Sequence, residues 1–339
     1  MDNQPLVSIV IVNLNRFKEL THCIESLNSQ NYKNYEIILI DNNSIDKSAE
    51  KIKSRFPNVH VYKTSKNLGT SYTRNAGVNF SGGKLIWFLD SDSYLLDRNV
   101  LVNLVKVFNT NDVDGIGGEA ILDEKNQLLG TKKLILYPNG MTKGYLDRSN
   151  IIVKVEILAT CNLMIKRKVI EDIGGFDHFY FFYLEDLDLT YRISKKGYKL
   201  YLIDKCPVIH YFSEKSRFKN HFKAKRNRIY FIVKNFNMIK ILMLPIYDFF
   251  YIFNFDNLQR IKKKLFHNYN LKDQFIKESS KNSSIKSILY TLKITILTIL
   301  SMIFSYVYIP YFLIKKFFAK KKAENFLKLV DKNDFTIED

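Results

Sequence analysis

Val7-Ser8-Ile9-Val10-Ile11-Val12-Asn13-Leu14-Asn15-Arg16 decides the fold. Its first six residues are β-branched or small and almost continuously apolar, the composition of a strand buried on both faces in a parallel sheet. Glu36–Ile40 and Leu85–Leu89 repeat the pattern, and His60–Tyr62 is a further short β-rich run. Between these runs Leu20, Cys23, Ile24 and Leu27 recur at three- and four-residue spacing, and 46–55 and 71–80 are of helix length. Strand and helix alternate, which predicts an open α/β sheet with right-handed crossovers and a ligand site beyond the carboxyl ends of the strands. The start, Met1-Asp2-Asn3-Gln4-Pro5, lacks the basic opening of a signal peptide, so the run after it is expected to be the first strand.

Polar residues gather at the strand ends. The first run closes on Asn13 and Asn15, the second on Asp41-Asn42-Asn43-Ser44 and the fourth on Asp90-Ser91-Asp92-Ser93. Any one of these could be a turn or a helix N-cap, but three together point to a site. No Walker loop and no GxGxxG occurs, which excludes an ordinary P-loop protein and a dinucleotide binder of the usual kind. Asp90 and Asp92 flank one residue, so both carboxylates can converge on a hard cation that bridges two phosphates. Glu185-Asp186 opens an expected helix, where a carboxylate can cap the helix or act as a general base. Leu184, Leu187 and Tyr191 share one face there, which turns Asp188 toward Arg192. His210 ends an apolar segment, and taken alone a histidine in that position is more often structural than a ligand. In the less regular middle, Lys132–Leu136 and Ile151–Leu158 are expected to form antiparallel strands.

In this order, the first strand with Asn13 and Asn15, Ile40-Asp41-Asn42-Asn43-Ser44, Asn67-Leu68-Gly69 with Arg74-Asn75-Ala76-Gly77, Asp90-Ser91-Asp92, Gly174-Gly175-Phe176-Asp177, Glu185-Asp186-Leu187-Asp188 and His210 resemble the family-2 inverting glycosyltransferases of the GT-A fold. The resemblance covers roughly residues 6 to 212. It implies a Rossmann-like mixed central sheet with a nucleotide-binding amino-terminal half. It assigns Asp41 to the N3 of a uracil or thymine ring, Arg74 to the base or diphosphate, and Asp90 to the ribose and metal. Asp92 and His210 would bind a divalent cation, Mg²⁺ or Mn²⁺, and Asp186, with Glu185 beside it, would deprotonate the acceptor hydroxyl. The implied reaction is a single in-line displacement with inversion at the anomeric carbon. Asn13, Asn15 and Asn43 stand at the nucleotide end. The turn after the first strand departs from the Thr-Tyr or Pro-x-Tyr of many members, which leaves its base contacts open.

The remaining sequence has another character. Of 339 residues, 52 are Lys or Arg and 34 Asp or Glu, for a net charge of +18, and 46% are hydrophobic. That composition excludes collagenous and mainly disordered classes. Cys23, Cys161 and Cys206 are too few and too scattered for a disulfide framework or a CxxC zinc site, which favours a reducing compartment. Residues 1–210 are nearly neutral at +3, whereas 211–339 hold 25 basic and 10 acidic side chains, a net of +15. We therefore expect a catalytic domain over 1–212 and a basic helical region over 213–339. Within the latter, Ile294–Ile314 is a 21-residue run without a charge, and Ile239–Phe255 is apolar but interrupted. Lysines flank the longer run on both sides, from Arg260 to Lys293 and from Lys315 to Lys322. Basic flanks on both sides fit an interfacial or re-entrant segment on an anionic membrane surface better than a single span. Lys219–Lys234 interleaves basic and aromatic residues, but no nucleic-acid motif accompanies it, so lipid rather than nucleic acid is the expected partner. The resulting expectation is an enzyme at the cytoplasmic face of the cell membrane, taking a UDP- or dTDP-type sugar and a lipid-linked or envelope saccharide. Its rivals are a sugar-phosphate nucleotidyltransferase and a non-catalytic basic binding protein.

Overall fold

The computed structural model describes residues 4–122, 128–147, 152–203, 208–210, 221–253, 300, 303–319 and 325–337. The chain forms two compact units: one of 1–136, 142–218 and 323–339, the other of 137–141 and 219–322. The expected flank 260–293, the start of the uncharged run and Cys206 lie outside the described residues.

In the first unit the strands are β1 Val7–Asn13, β2 Tyr35–Asp41, β3 Val59–Thr64 and β4 Leu85–Asp90, and the helices between them are α1 Phe17–Asn28, α2 Ser48–Arg55 and α3 Thr70–Phe80. β1 lies between β2 and β4, parallel to both, and β2 also pairs in parallel with β3. The continuous apolar run of β1 has a direct cause. Val7, Ile9 and Ile11 meet α1, α2 and α4 (Val100–Thr110) on one face. Val10, Ile38 and Phe88 join the second core on the other, with α5 (Arg167–Ile173) and α6 (Glu185–Lys195). Each face removes one alternate set of side chains from water, so β1 is apolar except at its end and at Ser8, whose buried hydroxyl is satisfied by donating to Glu36 Oε1 at 2.6 Å.

The sheet continues beyond β4 in mixed orientation. After the short β5 (Ser93–Leu95) come β6 (Gly115–Gly117), the hairpin strands β7 (Glu119–Leu122), β8 (Leu128–Leu136) and β9 (Thr142–Asp147), then β10 (Val153–Val155), β11 (Asn162–Lys166), β12 (Leu200–Leu202), β13 (Val208–His210) and β14 (Phe335–Ile337). Among the described residues the main sheet has nine strands in the order β10-β12-β6-β11-β4-β1-β2-β3-β14, while β7-β8-β9 and β13-β5 form separate small sheets.

Two expectations are corrected. Lys132–Leu136 pairs with β9, not with 151–158, because Asn139-Gly140 lets the chain double back at once, with Gly140 at φ +71°. Val153–Val155 instead runs antiparallel to β12 in the main sheet. The region after 212 is also not one piece. Residues 325–337 belong to the first unit: Leu327 is buried in its core, its N–H donates to Gly174 O, and β14 pairs antiparallel with β3, Phe335 opposite Thr64.

The second unit contains α7 (His221–Asn235), α8 (Met238–Leu242), α9 (Leu244–Phe253) and α10 (Tyr308–Ala319). Ile229, Phe231, Ile232, Leu244 and Phe312 are buried in it. A polar cluster is buried there as well. Arg228 grips Asp248 through both guanidinium nitrogens, at 2.7 and 2.9 Å, and Asn139 Nδ2 and Tyr306 Oη donate to the same carboxylate. Lys316 Nζ caps α7 by donating to Val233 O and Phe236 O. Arg228 and Phe231, part of the basic-aromatic stretch, are therefore core residues of this unit.

Candidate active site

Strand register assembles the first cluster. Asn13 stands opposite Asp41 and shares its face of the sheet, while Asp90 stands opposite Val12 and so points to the other face at the same carboxyl edge of β2, β1 and β4. The Asp41 carboxylate is fully buried and accepts from Asn13 Nδ2 at 2.9 Å, Ser44 Oγ at 2.6 Å and Ser44 N at 2.9 Å. The bond to Nδ2 fixes the Asn13 amide, and its Oδ1, also buried, has no partner among the described residues. Asn15 and Asn43 take left-handed backbone, φ 56° and 65°, which asparagine tolerates better than most residues. Asn15 N donates to Ser44 Oγ and Asn15 Oδ1 accepts from Ile45 N, so the turns after β1 and β2 are tied together. Asn43 lies in the same turn, its N–H donating to Asp41 O.

α3 supplies the second cluster. The helix can approach the sheet closely because residue 77 is glycine; a Cβ there would stand 2.3 Å from Val10 Cγ1. At its start, Gly69 takes φ +82° and a Cβ would meet Phe181 O at 2.6 Å. This close approach aims Arg74 at two carboxylates: its guanidinium donates to Glu185 Oε1 at 2.7 Å and to Asp90 Oδ1 at 2.9 Å. Burial opposes the charge on Arg74, but Asp90, Glu185 and Asp186 outweigh it and raise its pKa. Glu185 Oε1 also accepts from Thr70 Oγ1 at 2.9 Å, whereas Glu185 Oε2 is buried without a partner among the described residues.

Asp186 differs from its neighbour. Its Oδ1 accepts from Leu187 N at 2.7 Å, and among the described residues no ion pair holds it. Burial raises its pKa to about 6, the negative charge of Glu185 adds to that, and Arg74 only partly offsets it. The backbone leading to it is strained: Phe181, Tyr183 and Leu184 all have positive φ, at a cost of about 1–3 kcal/mol each. Such a conformation persists only where surrounding contacts impose it. Here the Thr70 N–H donates to Phe181 O at 2.7 Å.

The third cluster arises from the small sheet. β13 runs antiparallel to β5 with His210 opposite Ser93, which sets the imidazole beside Asp92. His210 Nε2 lies 3.1 Å from Asp92 Oδ1 and 3.4 Å from Asp90 Oδ2. One donor atom from each of Asp90, Asp92 and His210 falls within 4.8 Å of the others, a candidate metal site. Two carboxylates and an imidazole suit a divalent cation, and the positive Arg16 guanidinium already bonds the other Asp92 oxygen. Asp90 thus belongs to both the second and third clusters.

The structure brings Arg74, Asp90, Glu185 and Asp186 together, adds Asp92 and His210 through Asp90, and places Asn13, Asn15, Asp41 and Asn43 in an adjoining cluster. Sequence reasoning gave no role to Arg16, Ser44 or Thr70. Ser44 had a signal: it lies three residues after Asp41, where its hydroxyl and N–H can both reach that carboxylate.

Residues 8–174 match the profile of Glycosyl transferase family 2. An uncharacterised glycosyltransferase of Methanocaldococcus jannaschii is 27% identical over 246 residues, 68% of this chain and 84% of that protein. The glycosyltransferase AglE of Haloferax volcanii is 25% identical over 205 residues, 58% of this chain and 64% of that protein. Among solved structures, GalNAc-T7 with UDP, GalNAc and Mn²⁺ superposes with a TM-score of 0.56 at 18% identity, over 69% of this chain and 49% of its own. The mannosyltransferase PcManGT of Pyrobaculum calidifontis, in complex with GDP-Man and Mn²⁺, gives a TM-score of 0.52 at 13% identity, over 94% and 89%. Those two likenesses identify the fold as GT-A, and residues 8–174 are a domain of glycosyltransferase family 2.

Proposed function

We propose that the chain moves a sugar from a nucleoside-diphospho sugar of the UDP or dTDP type to a hydroxyl of a lipid-linked or envelope saccharide, with inversion, at the cytoplasmic face of a membrane. The observation that carries the reaction is the sharing of Asp90 between Arg74 and the Asp92–His210 pair, beside Asp186, a carboxylate that no ion pair holds among the described residues. Asp41, with the fixed Asn13 amide beside it, would receive the base. Arg74 balances the charge of Asp90 and Glu185, and Glu185 keeps Arg74 in place.

In the transfer step the acceptor oxygen forms its bond to the anomeric carbon, the bond to the phosphate oxygen breaks, and the acceptor proton passes to Asp186. A pKa of about 6 leaves Asp186 ionised at neutral pH and makes it a stronger base than an ordinary aspartate. Asp90, Asp92 and His210 would hold a divalent cation, which supplies charge neutralisation for the departing nucleoside diphosphate. The imidazole in that donor set favours Mn²⁺ over Mg²⁺.

The test is a screen of nucleotide sugars for metal-dependent release of nucleoside diphosphate, with and without lipid extract. Release that needs both the metal and the extract supports the proposal. Release of pyrophosphate would instead identify a nucleotidyltransferase, and a biological role that survives loss of both Asp90 and Asp186 would identify a binding protein.

A further inference from the structure

The second unit carries its polarity the wrong way round for a helix facing water. On α9 the ionisable Asp248 is 3% exposed, while Phe249 and Phe250 are 58% and 67% exposed. The helical hydrogen-bond ladder runs on from α8, with Met243 N donating to Ile239 O and Tyr247 N to Met243 O. Positions 239, 242, 246, 249 and 250 therefore share one face. Ile239 and Leu242 are 71% and 73% exposed, while Ile241 and Leu244 on the opposite face are buried. The stretch before α10 repeats the inversion: Ser305 is buried, and Ile303, Phe304 and Val307 are exposed. Water-soluble helices place these residues in the reverse sense, and a contiguous apolar stripe of this size marks a contact surface. The interior also fits a low-dielectric setting, because Arg228 and Asp248 neutralise each other and Asn139 and Tyr306 complete the carboxylate's bonds.

We propose that the stripe formed by Ile239, Leu242, Ile246, Phe249 and Phe250 beds into the boundary between headgroups and acyl chains of an anionic bilayer. This rests on the membrane placement in the proposed function and names the face that achieves it. Charge selects the occupant. Residues 219–322 hold 21 Lys and Arg against four Asp and Glu. A second copy would set one strongly positive surface against another, and nucleic acid would neutralise the charge but leave the stripe in water. An anionic bilayer meets both needs. The continuous helical stretch from Met238 to Phe253 reaches about 24 Å, short of the roughly 30 Å hydrocarbon core of a bilayer, and no helix among the described residues is long and apolar enough to cross one. The helix therefore lies in the interface.

The experiment is flotation of the full chain, prepared without detergent, on vesicles of phosphatidylcholine alone or with a third phosphatidylglycerol. The wild type should float with the anionic vesicles, and Leu242→Glu with Phe250→Glu should lower partitioning at least about tenfold. In a second variant, Phe250→Trp, the emission of the introduced indole should be quenched by brominated acyl chains, with the fully buried Trp87 as the unquenched reference. A wild type that stays at the bottom overturns the membrane placement itself. A wild type and a double variant that float alike, or a Phe250→Trp variant whose emission is not quenched, overturn the face alone. A wild-type dimer that the double variant dissociates would give the stripe to a second copy and overturn the proposal.

Discussion

The Arg16 guanidinium rests on one oxygen of the Asp92 carboxylate while His210 Nε2 stands 3.1 Å from the other. A side-chain positive charge thus sits against one oxygen of the candidate metal cluster. Removing it should relieve competition: Arg16→Ala should tighten Mn²⁺ binding about fivefold, the equivalent of about 1 kcal/mol for a partly exposed pair. Titration calorimetry on the nucleotide-free protein reads this directly. Equal or weaker binding would mean that Arg16 supports the site instead of competing for it. Asp92→Ala should abolish the binding.

Asp186 should titrate abnormally. Burial and the charge of Glu185 favour its protonated form, so carboxyl NMR of the metal-free protein should find a group with a midpoint near pH 6, absent from Asp186→Asn. The ionised form is the base, so its population falls as pH drops through that midpoint, well above the range of an ordinary aspartate. The same substitution should leave donor binding intact and slow transfer by about 10²- to 10⁴-fold. A near-normal rate would move the role to another carboxylate.

Arg74→Met removes the cation shared by Asp90 and Glu185. Glu185 is buried, and stranding its charge should cost about 3–5 kcal/mol, measured by urea unfolding at neutral pH. Arg74→Met and Glu185→Gln together should recover part of that loss, since the double variant strands no charge at position 185. If the two substitutions add independently, the pair is not coupled.

Leu327→Ala should cost about 2–3 kcal/mol and act locally. Leu327 fills the core beside Gly174 and Gly175, and Asn79 Nδ2 donates to its carbonyl. Amide exchange should accelerate first along β3, where β14 is paired. Uniform acceleration across the sheet would mean that the segment is not a separable unit.

The alternation of β1–β4 with α1–α3 was legible because β1, β2 and β4 are largely apolar on both faces, β3 is a short β-rich run, and each helix is apolar on one face. Strand ends were legible for the same reason: Asn13, Asp41 and Asp90 each close a run whose preceding four residues are all apolar. The pairing of Lys132–Leu136 was misread although Asn139-Gly140 marked its turn, since the apolar content of 151–158 matched equally well and only the short loop closure decided between them. That β14 joins the sheet was not legible at all. Three residues carry no periodicity, and their partner is more than 270 positions away in sequence. Nor could spacing tell Glu185 from Asp186. Both sit in the first turn of α6, and only Arg74, arriving from α3, separates the anchored carboxylate from its neighbour.

The pairing of β14 with β3 also orders events during synthesis. Strands β1 to β4 leave the ribosome early, yet the outer edge of β3 cannot be covered until 335–337 have followed all of 219–322. Throughout that interval a nascent chain would display an open strand edge, joined in its later part by the apolar stripe of α8 and α9. At translation speeds of about 5–20 residues per second the strand edge stays open for about 14 to 55 seconds, long enough for edge-to-edge association between neighbouring chains on one message. A membrane that engages the helices as they emerge would remove one of the two sticky surfaces before the strand closes the other.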